Sequence, residues 1–271
     1  MLNITSEEFA KLAAYIQANY GIYLKKEKKN LVTSRLQSVL LSKNFASFSE
    51  YYQYLLQDRS GQAASELINR ITTNHTYFMR EPEHFYYFRD QILPELKANC
   101  KEQDLRIWCA ACSTGEEAYT LAMLIDEFFG TEKQHWDTRL LATDISLKVL
   151  QTATAGIYPA ERISPLPASW QKKYFKKFEE NKVKVVDKIR QEIIFRRFNL
   201  MEKVYPFKQK FQVIFCRNVM IYFDLPTKNK LIKKLYEQLQ PGGYLFVGHA
   251  EALNRETTDF RYVRPAIYRK I

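Results

Sequence analysis

The 271-residue chain is short of cysteine and glycine, with 4 Cys and 8 Gly, and it lacks long apolar runs. No run approaches the ~18 residues that a bilayer-spanning helix needs. The N-terminus, Met1-Leu-Asn-Ile-Thr-Ser-Glu-Glu, has no basic region followed by an apolar stretch, so a cytosolic protein is expected. Four cysteines are too few for a disulfide scaffold of this length. Cys109 and Cys112 form a CxxC, but no second Cys or His pair lies at zinc-ligand spacing and His75, His84, His135 and His249 are scattered, so no metal is expected. Acidic residues are also scarce, 30 against 41 Lys plus Arg, which gives a net charge of +11. That excess suggests an anionic partner: nucleic acid, a membrane surface or an acidic protein. Hydrophobic residues at 46% and charged residues at 26% exclude a disordered or collagen-like chain.

Periodicity divides the chain. Up to about residue 70 it reads as helices. Thr5-Ser6-Glu7-Glu8 opens the first, Phe9, Leu12, Ala13 and Ile16 recur at helical spacing, and Gly21 ends it. The second carries Leu31, Leu36, Val39 and Leu40, with Lys25, Lys26, Lys28, Lys29 and Arg35 expected to load its first half. A third follows Ser47-Phe48-Ser49-Glu50, and a fourth spans about 62–71. From about residue 104, short β-rich runs alternate with helical stretches, the signature of βαβ units and a parallel sheet. Strands are predicted at 105–109, 139–143, 193–198, 211–216, 244–248 and near 261–269. Helices are predicted at 116–129, 147–155 and 226–239, the last stopped by Pro241-Gly242-Gly243. Around Lys182-Val-Lys-Val-Val the polar–apolar alternation predicts a small antiparallel insertion. Residues 171–217 hold 14 basic and 5 acidic side chains, so much of the positive excess is local.

Several segments place polar groups where strands end. Leu105 to Glu117 reads as a strand, a turn of small residues and a helix opening, a turn that lets backbone approach a ligand. Glu116 and Glu117 would repel a phosphate there and suit a ligand carrying an ammonium or sulfonium, although an acidic first turn also complements the helix dipole. Asp144, closing Leu141-Ala-Thr-Asp, occupies the position that holds ribose hydroxyls in doubly wound folds, or else caps the next helix. Asn199, Arg217 and Asn218 are too polar for their apolar surroundings and belong to the same crevice.

The chain resembles the chemotaxis receptor glutamate methyltransferases of the CheR type. Five blocks carry the likeness, in the family's order: Ile71 to Phe85 (ITTNHTYFMREPEHF), Ala111-Cys-Ser-Thr-Gly-Glu-Glu117, Leu141-Ala-Thr-Asp-Ile145, Cys216-Arg-Asn-Val-Met-Ile-Tyr-Phe-Asp224 and Pro241-Gly-Gly-Tyr-Leu-Phe-Val-Gly-His249. The resemblance implies a Rossmann-like α/β class I methyltransferase domain (104–271) with a small antiparallel β insertion (about 165–192). An all-α N-terminal domain (1–72) and a linker with its helix (73–103) precede it. It implies S-adenosylmethionine as methyl donor, S-adenosylhomocysteine as product, no metal, and the γ-carboxylate of receptor glutamates as acceptor. By residue, Asn74, Thr76 and Arg80 match the segment closing over the cofactor. Glu116 matches a contact of its methionine end and Asp144 the ribose ligand. Asn199, Leu200, Arg217 and Asn218 match positions flanking the adenosine and the methyl-bearing side. Arg80 and Tyr222 match the residues nearest the methyl group and are the expected catalytic pair. The expected partner is the receptor signalling domain, met by Lys25, Lys26, Lys28, Lys29 and Arg35 and by the β insertion, with the protein cytoplasmic and recruited to membrane receptor arrays.

Two departures stand out. Members that dock on a receptor's C-terminal pentapeptide carry a glycine-bearing hairpin, whereas Phe178-Glu-Glu-Asn-Lys-Val-Lys184 has none. The family's Gly-His-Ser-Glu reads Gly248-His-Ala-Glu251, which makes a direct role for position 250 unexpected. The rival reading is a nucleic-acid methyltransferase, but Arg217-Asn-Val-Met is not the Asn/Asp-Pro-Pro-aromatic motif of base methylases.

Overall fold

The computed structural model describes residues 2–254 and 258–271. Helix α1 (Ser6–Tyr20) starts in a capping box. Thr5 accepts from the Glu8 N–H, Glu8 returns a bond to the Thr5 N–H, and Gly21 ends the helix at φ 73°. A Cβ on Gly21 would lie 2.6 Å from the Met201 sulfur and 2.9 Å from a Thr227 methyl, so the cap also permits a close approach of the helical unit to the rest of the chain. Helices α2 (Lys29–Ser42), α3 (Phe48–Gln57) and α4 (Gln62–Ile71) pack with α1 around Leu12, Ile16, Leu36, Leu40, Tyr51 and Leu67.

The basic cluster differs from expectation in this unit. Lys25 is extended, Lys26–Lys28 form a 3₁₀ turn, and only Lys29 belongs to α2. Four lysines inside the first turn would oppose the helix dipole, and the chain instead places most of them ahead of it. Arg35 is not a free surface charge. Its guanidinium is half-buried and donates to the Ile71 carbonyl, to the Arg70 carbonyl at 3.4 Å and to Thr73 Oγ1 at 3.1 Å, closing the C-terminus of α4 where the linker begins.

After the linker, α5 (Pro82–Tyr87) continues through a wider π turn (Phe88–Ile92) into α6 (Leu93–Asn99). The remaining elements are, in chain order, β1 (Ile107–Cys109), α7 (Glu116–Phe129), β2 (Leu140–Asp144), α8 (Leu147–Ala155), β3 (Ile157–Pro159), α9 (Ala168–Tyr174), β4 (Phe175–Glu179), β5 (Lys182–Val185), α10 (Asp187–Arg190), β6 (Ile193–Arg197), β7 (Phe211–Phe215), α11 (Leu225–Gln238), β8 (Leu239–Phe246), β9 (Phe260–Arg264) and β10 (Ile267–Lys270). The main sheet runs β6-β2-β1-β7-β8-β10-β9, parallel from β6 to β8, with β10 antiparallel to both neighbours. Both faces are covered. Ile107, Cys109, Val213 and Phe215 enter one apolar cluster while Trp108 and Ile214 enter the other, as the two-residue period of a strand requires.

Three expectations change. The single strand predicted near 261–269 is a hairpin turning at Ala266, φ 59°. Pro241-Gly242-Gly243 does not stop a helix: α11 ends at Gln238, and these residues lie inside β8, where the register against β7 shifts. The insertion is a three-stranded sheet, β3-β5-β4, that recruits Ile157–Pro159 ahead of the span expected. Two of its lysines are occupied, because the buried carboxylate of Asp126 collects Lys188 at 2.7 Å and Lys173 at 3.5 Å, together with Lys133 at 3.5 Å from the segment before β2.

Candidate active site

The chain leaves β1 for β2 and β6 on one side and returns to β7 and β8 on the other, so the direction of winding reverses at β1. In an open α/β sheet the crevice at the strand carboxyl ends beside such a reversal is the place for a ligand. A crevice of about 950 Å³ opens there, roofed by the linker and the end of the helical unit. Ile22 forms a bridge with Phe223, the Tyr23 N–H donates to the Tyr222 carbonyl at 2.8 Å, and Asn199 Nδ2 donates to the Asn19 carbonyl at 2.8 Å, so the two units share its walls.

Asn74, Thr76, Arg80, Asp144, Asn199, Leu200, Arg217, Asn218 and Tyr222 all line this crevice. Glu116 does not. It is buried, accepts from Thr114 Oγ1 at 2.6 Å and lies 3.7 Å from Arg162, while Glu117 lines the crevice in its place. Adjacent helical residues point about 100° apart, so only one of the two can face the ligand. Burial raises the Glu116 carboxyl above the usual range, partly offset by the Thr114 hydroxyl.

Asp144 is held through both oxygens, by the Ser113 N–H and the Ser146 N–H at 2.9 Å each. The cap of α8 is Ser146, which accepts from the Val149 N–H, so Asp144 is not spent as the helix cap. Burial raises its carboxyl above the ordinary aspartate range, and the Ser146 and Ser113 N–H groups pull it back. The turn between β1 and α7 depends on Gly115, φ 98°, where a Cβ would meet Ala153 at 2.9 Å.

On the opposite wall Arg80 donates to the His75 carbonyl at 2.6 Å, and Tyr222 donates to the Thr73 carbonyl at 3.0 Å. Arg217 is fully buried. Its Nη1 reaches Glu117 at 2.6 Å and its Nη2 reaches the Arg80 carbonyl at 2.5 Å and Glu81 at 3.0 Å, leaving Nε without a partner among the described residues. Two carboxylates sequence reasoning passed over brace these loops. Glu81 accepts from Asn218 Nδ2 at 3.1 Å. Glu251 accepts from the N–H groups of Asn218 (2.6 Å), Ile221 (3.1 Å) and Gly248 (2.7 Å), while Ala250 is exposed. Their signal in the sequence was their adjacency to Arg80 and to Gly248-His249.

Cys109 and Cys112 are buried and burial pushes both thiols up; Cys109 donates to Glu117 at 3.2 Å. Glu81, His84 and His249 bring ligand-type atoms within 4.8 Å of one another, but both Glu81 oxygens already accept from Arg217 and Asn218. Burial lowers His84 to about 3, so it is neutral at physiological pH.

The sheet order with its single reversed strand, the carboxylate at the end of β2 and the small-residue turn after β1 define a class I S-adenosylmethionine-dependent methyltransferase. The crevice suits that molecule: Asp144 presents acceptors for vicinal hydroxyls, Phe198, Leu200 and Val219 offer an apolar wall for a base, and the unpartnered Arg217 Nε–H awaits an acceptor. The model of the CheR methyltransferase SAM-binding domain matches residues 74–268, and that of the CheR methyltransferase all-alpha domain matches residues 7–72. The chain belongs to the CheR methyltransferase family, and its methyl donor is S-adenosylmethionine. It is 41% identical to a chemotaxis protein methyltransferase of Borreliella burgdorferi, covering 99% of this chain and 96% of that protein. It is 36% identical to chemotaxis protein methyltransferase 2 of Pseudomonas aeruginosa (97% and 93%) and 35% identical to a probable chemotaxis protein methyltransferase of Rhizobium etli (94% and 99%).

Proposed function

We propose that the chain transfers the methyl group of S-adenosylmethionine to the γ-carboxylate of glutamates on methyl-accepting chemotaxis receptors, giving glutamate methyl esters. The observation that carries this reading is the placing of Arg80 and Tyr222 on one wall of the crevice that Asp144 enters from the sheet. Bound S-adenosylmethionine supplies an electrophilic methyl group on a cationic sulfur. A glutamate side chain, with an ordinary pKa near ~4.3, is ionised at neutral pH and needs no general base. Arg80 offers N–H donors that fix the carboxylate in line with the methyl group. The Tyr222 hydroxyl donates its hydrogen bond to the Thr73 carbonyl, so its phenol oxygen presents lone pairs to the sulfonium rim rather than a donor to the acceptor. Asp144 takes the ribose, and Leu200, Asn199 and Asn218 flank the adenosine and the methyl-bearing side. In this reading residues 1–72 form the docking unit, 73–103 the linker that closes the cofactor site, and 104–271 the transfer domain.

The test incubates the protein and methyl-labelled S-adenosylmethionine with isolated receptor signalling domains, with and without their C-terminal tails. Base-labile label on the receptor is expected; label in RNA or DNA would overturn the reading.

No helix among the described residues is long and apolar enough to cross a membrane. Recruitment to receptor arrays is assigned to the exposed Lys25, Lys26 and Lys28 and the half-buried Lys29, which attract the acidic, glutamate-bearing receptor helices. Reversing these four to glutamate is expected to slow receptor methylation and flatten its salt dependence. If neither changed, the lysines would not be the docking face.

A further inference from the structure

We infer that Glu81 is a positioning residue for methyl transfer, setting the placement of Arg80 through Arg217 and Asn218 without lining the crevice itself. The inference rests on the reading of Arg80 as the residue that orients the acceptor.

Arg80 sits between two residues in the left-handed region, Met79 at φ 60° and Glu81 at φ 58°, neither of them glycine. A backbone of this kind is costly and persists only where its surroundings over-determine it. The surroundings here are specific. The buried Arg217 guanidinium bonds with a single Nη2 both to the carbonyl of Arg80, at 2.5 Å, and to Glu81 Oε2, at 3.0 Å. Glu81 Oε1 takes the Asn218 amide at 3.1 Å, and the His249 N–H reaches Oε2 at 3.3 Å. One carboxylate thus ties the linker to the loop after β7 and to the loop after β8. Arg217 is itself pinned by Glu117 at 2.6 Å and by the face of Phe85, 5.2 Å away, and Asn218 by Glu251. The peptide that carries the Arg80 side chain is therefore suspended from a fixed frame, and Glu81 is the clamp. Burial alone would raise the Glu81 carboxyl, but Arg217 and Asn218 hold it below the usual range, so the clamp is charged in the working enzyme.

A group acting only through Arg80 has a signature that a general structural contact lacks: once Arg80 is removed, nothing remains for it to position. Wild type, Glu81→Gln, Arg80→Ala and the double variant are compared for methyl transfer to receptor signalling domain, for S-adenosylmethionine affinity by calorimetry and for melting temperature. Glu81→Gln is expected to lower kcat about 10- to 100-fold, the cost of a small misplacement, and to lower cofactor affinity far less. In the Arg80→Ala background the same change is expected to lower kcat less than about twofold. A full, multiplicative loss in that background would overturn the positioning role while leaving Arg80 in place. An unchanged rate for Arg80→Ala alone would overturn both. If Glu81→Gln reduces the yield of folded protein, Glu81→Asp, which keeps a charge facing Arg217, carries the same cycle with the same outcomes.

Discussion

Arg80→Ala is expected to lower kcat for receptor methylation by about 10²- to 10³-fold, the range observed when one preorganised donor is removed from an active site, while the protein stays folded. Arg80 is half-buried, its neighbours are held by backbone contacts, and the one side-chain bond it makes among the described residues, to the carbonyl of the exposed His75, can be replaced by water. The side chain therefore contributes little to the core. It matters at the reaction centre, where an anionic acceptor must be brought out of water and aligned, and where a guanidinium fork supplies parallel donors that a lysine cannot. Arg80→Lys is accordingly expected to recover only part of the rate. Steady-state transfer of labelled methyl, with melting temperatures as control, checks this; full activity in Arg80→Ala would remove it from the acceptor site.

The second large effect is expected from Asp144→Ala. A carboxylate fixed on both oxygens by main-chain N–H groups is a preorganised acceptor, and its free lone pairs face the crevice. Losing a charge-assisted pair of this kind costs about 1.5 to 3 kcal/mol, which is about 10- to 100-fold in affinity for S-adenosylmethionine. Calorimetry decides it, and unaltered affinity would reject the ribose assignment. A pH consequence follows with a definite sign. Burial raises the folded-state pKa, and the ligand's hydroxyls need the ionised form, so cofactor affinity is expected to fall on acidification, beginning above the ordinary aspartate range near ~3.9. In Asp144→Asn that acid-side loss should be absent.

Much of the architecture was legible because local signals and tertiary demands agreed. Thr5 with Glu8 and Gly21 bracket α1 by capping chemistry that works within one turn, and α4, α7 and α8 begin and end where their apolar periodicity does. The parallel strands announced themselves as apolar runs because both their faces are covered. The failures have a common origin in partners distant along the chain. Pro241-Gly242-Gly243 carries stop signals, but the strand slot beside β7 accommodates it through a register shift; a Cβ at Gly243 would lie 2.9 Å from the Gln212 carbonyl. Arg35 reads as one of five cations, and only the end of α4 reveals that it is a backbone clamp.

By itself, the sequence determined the order of helices and strands and the βαβ character, because the period of apolar residues differs between a helix and a strand; the five blocks through which it resembles the family implied ten site residues, nine of which line the crevice. Only the tertiary structure decided which of Glu116 and Glu117 faces the crevice, that the Tyr222 hydroxyl donates to the Thr73 carbonyl, and that Glu81 and Glu251 hold the loops beside it. Those outcomes depend on helix rotation and on hydrogen bonds between segments 30 to 149 residues apart, and a local pattern carries no record of either.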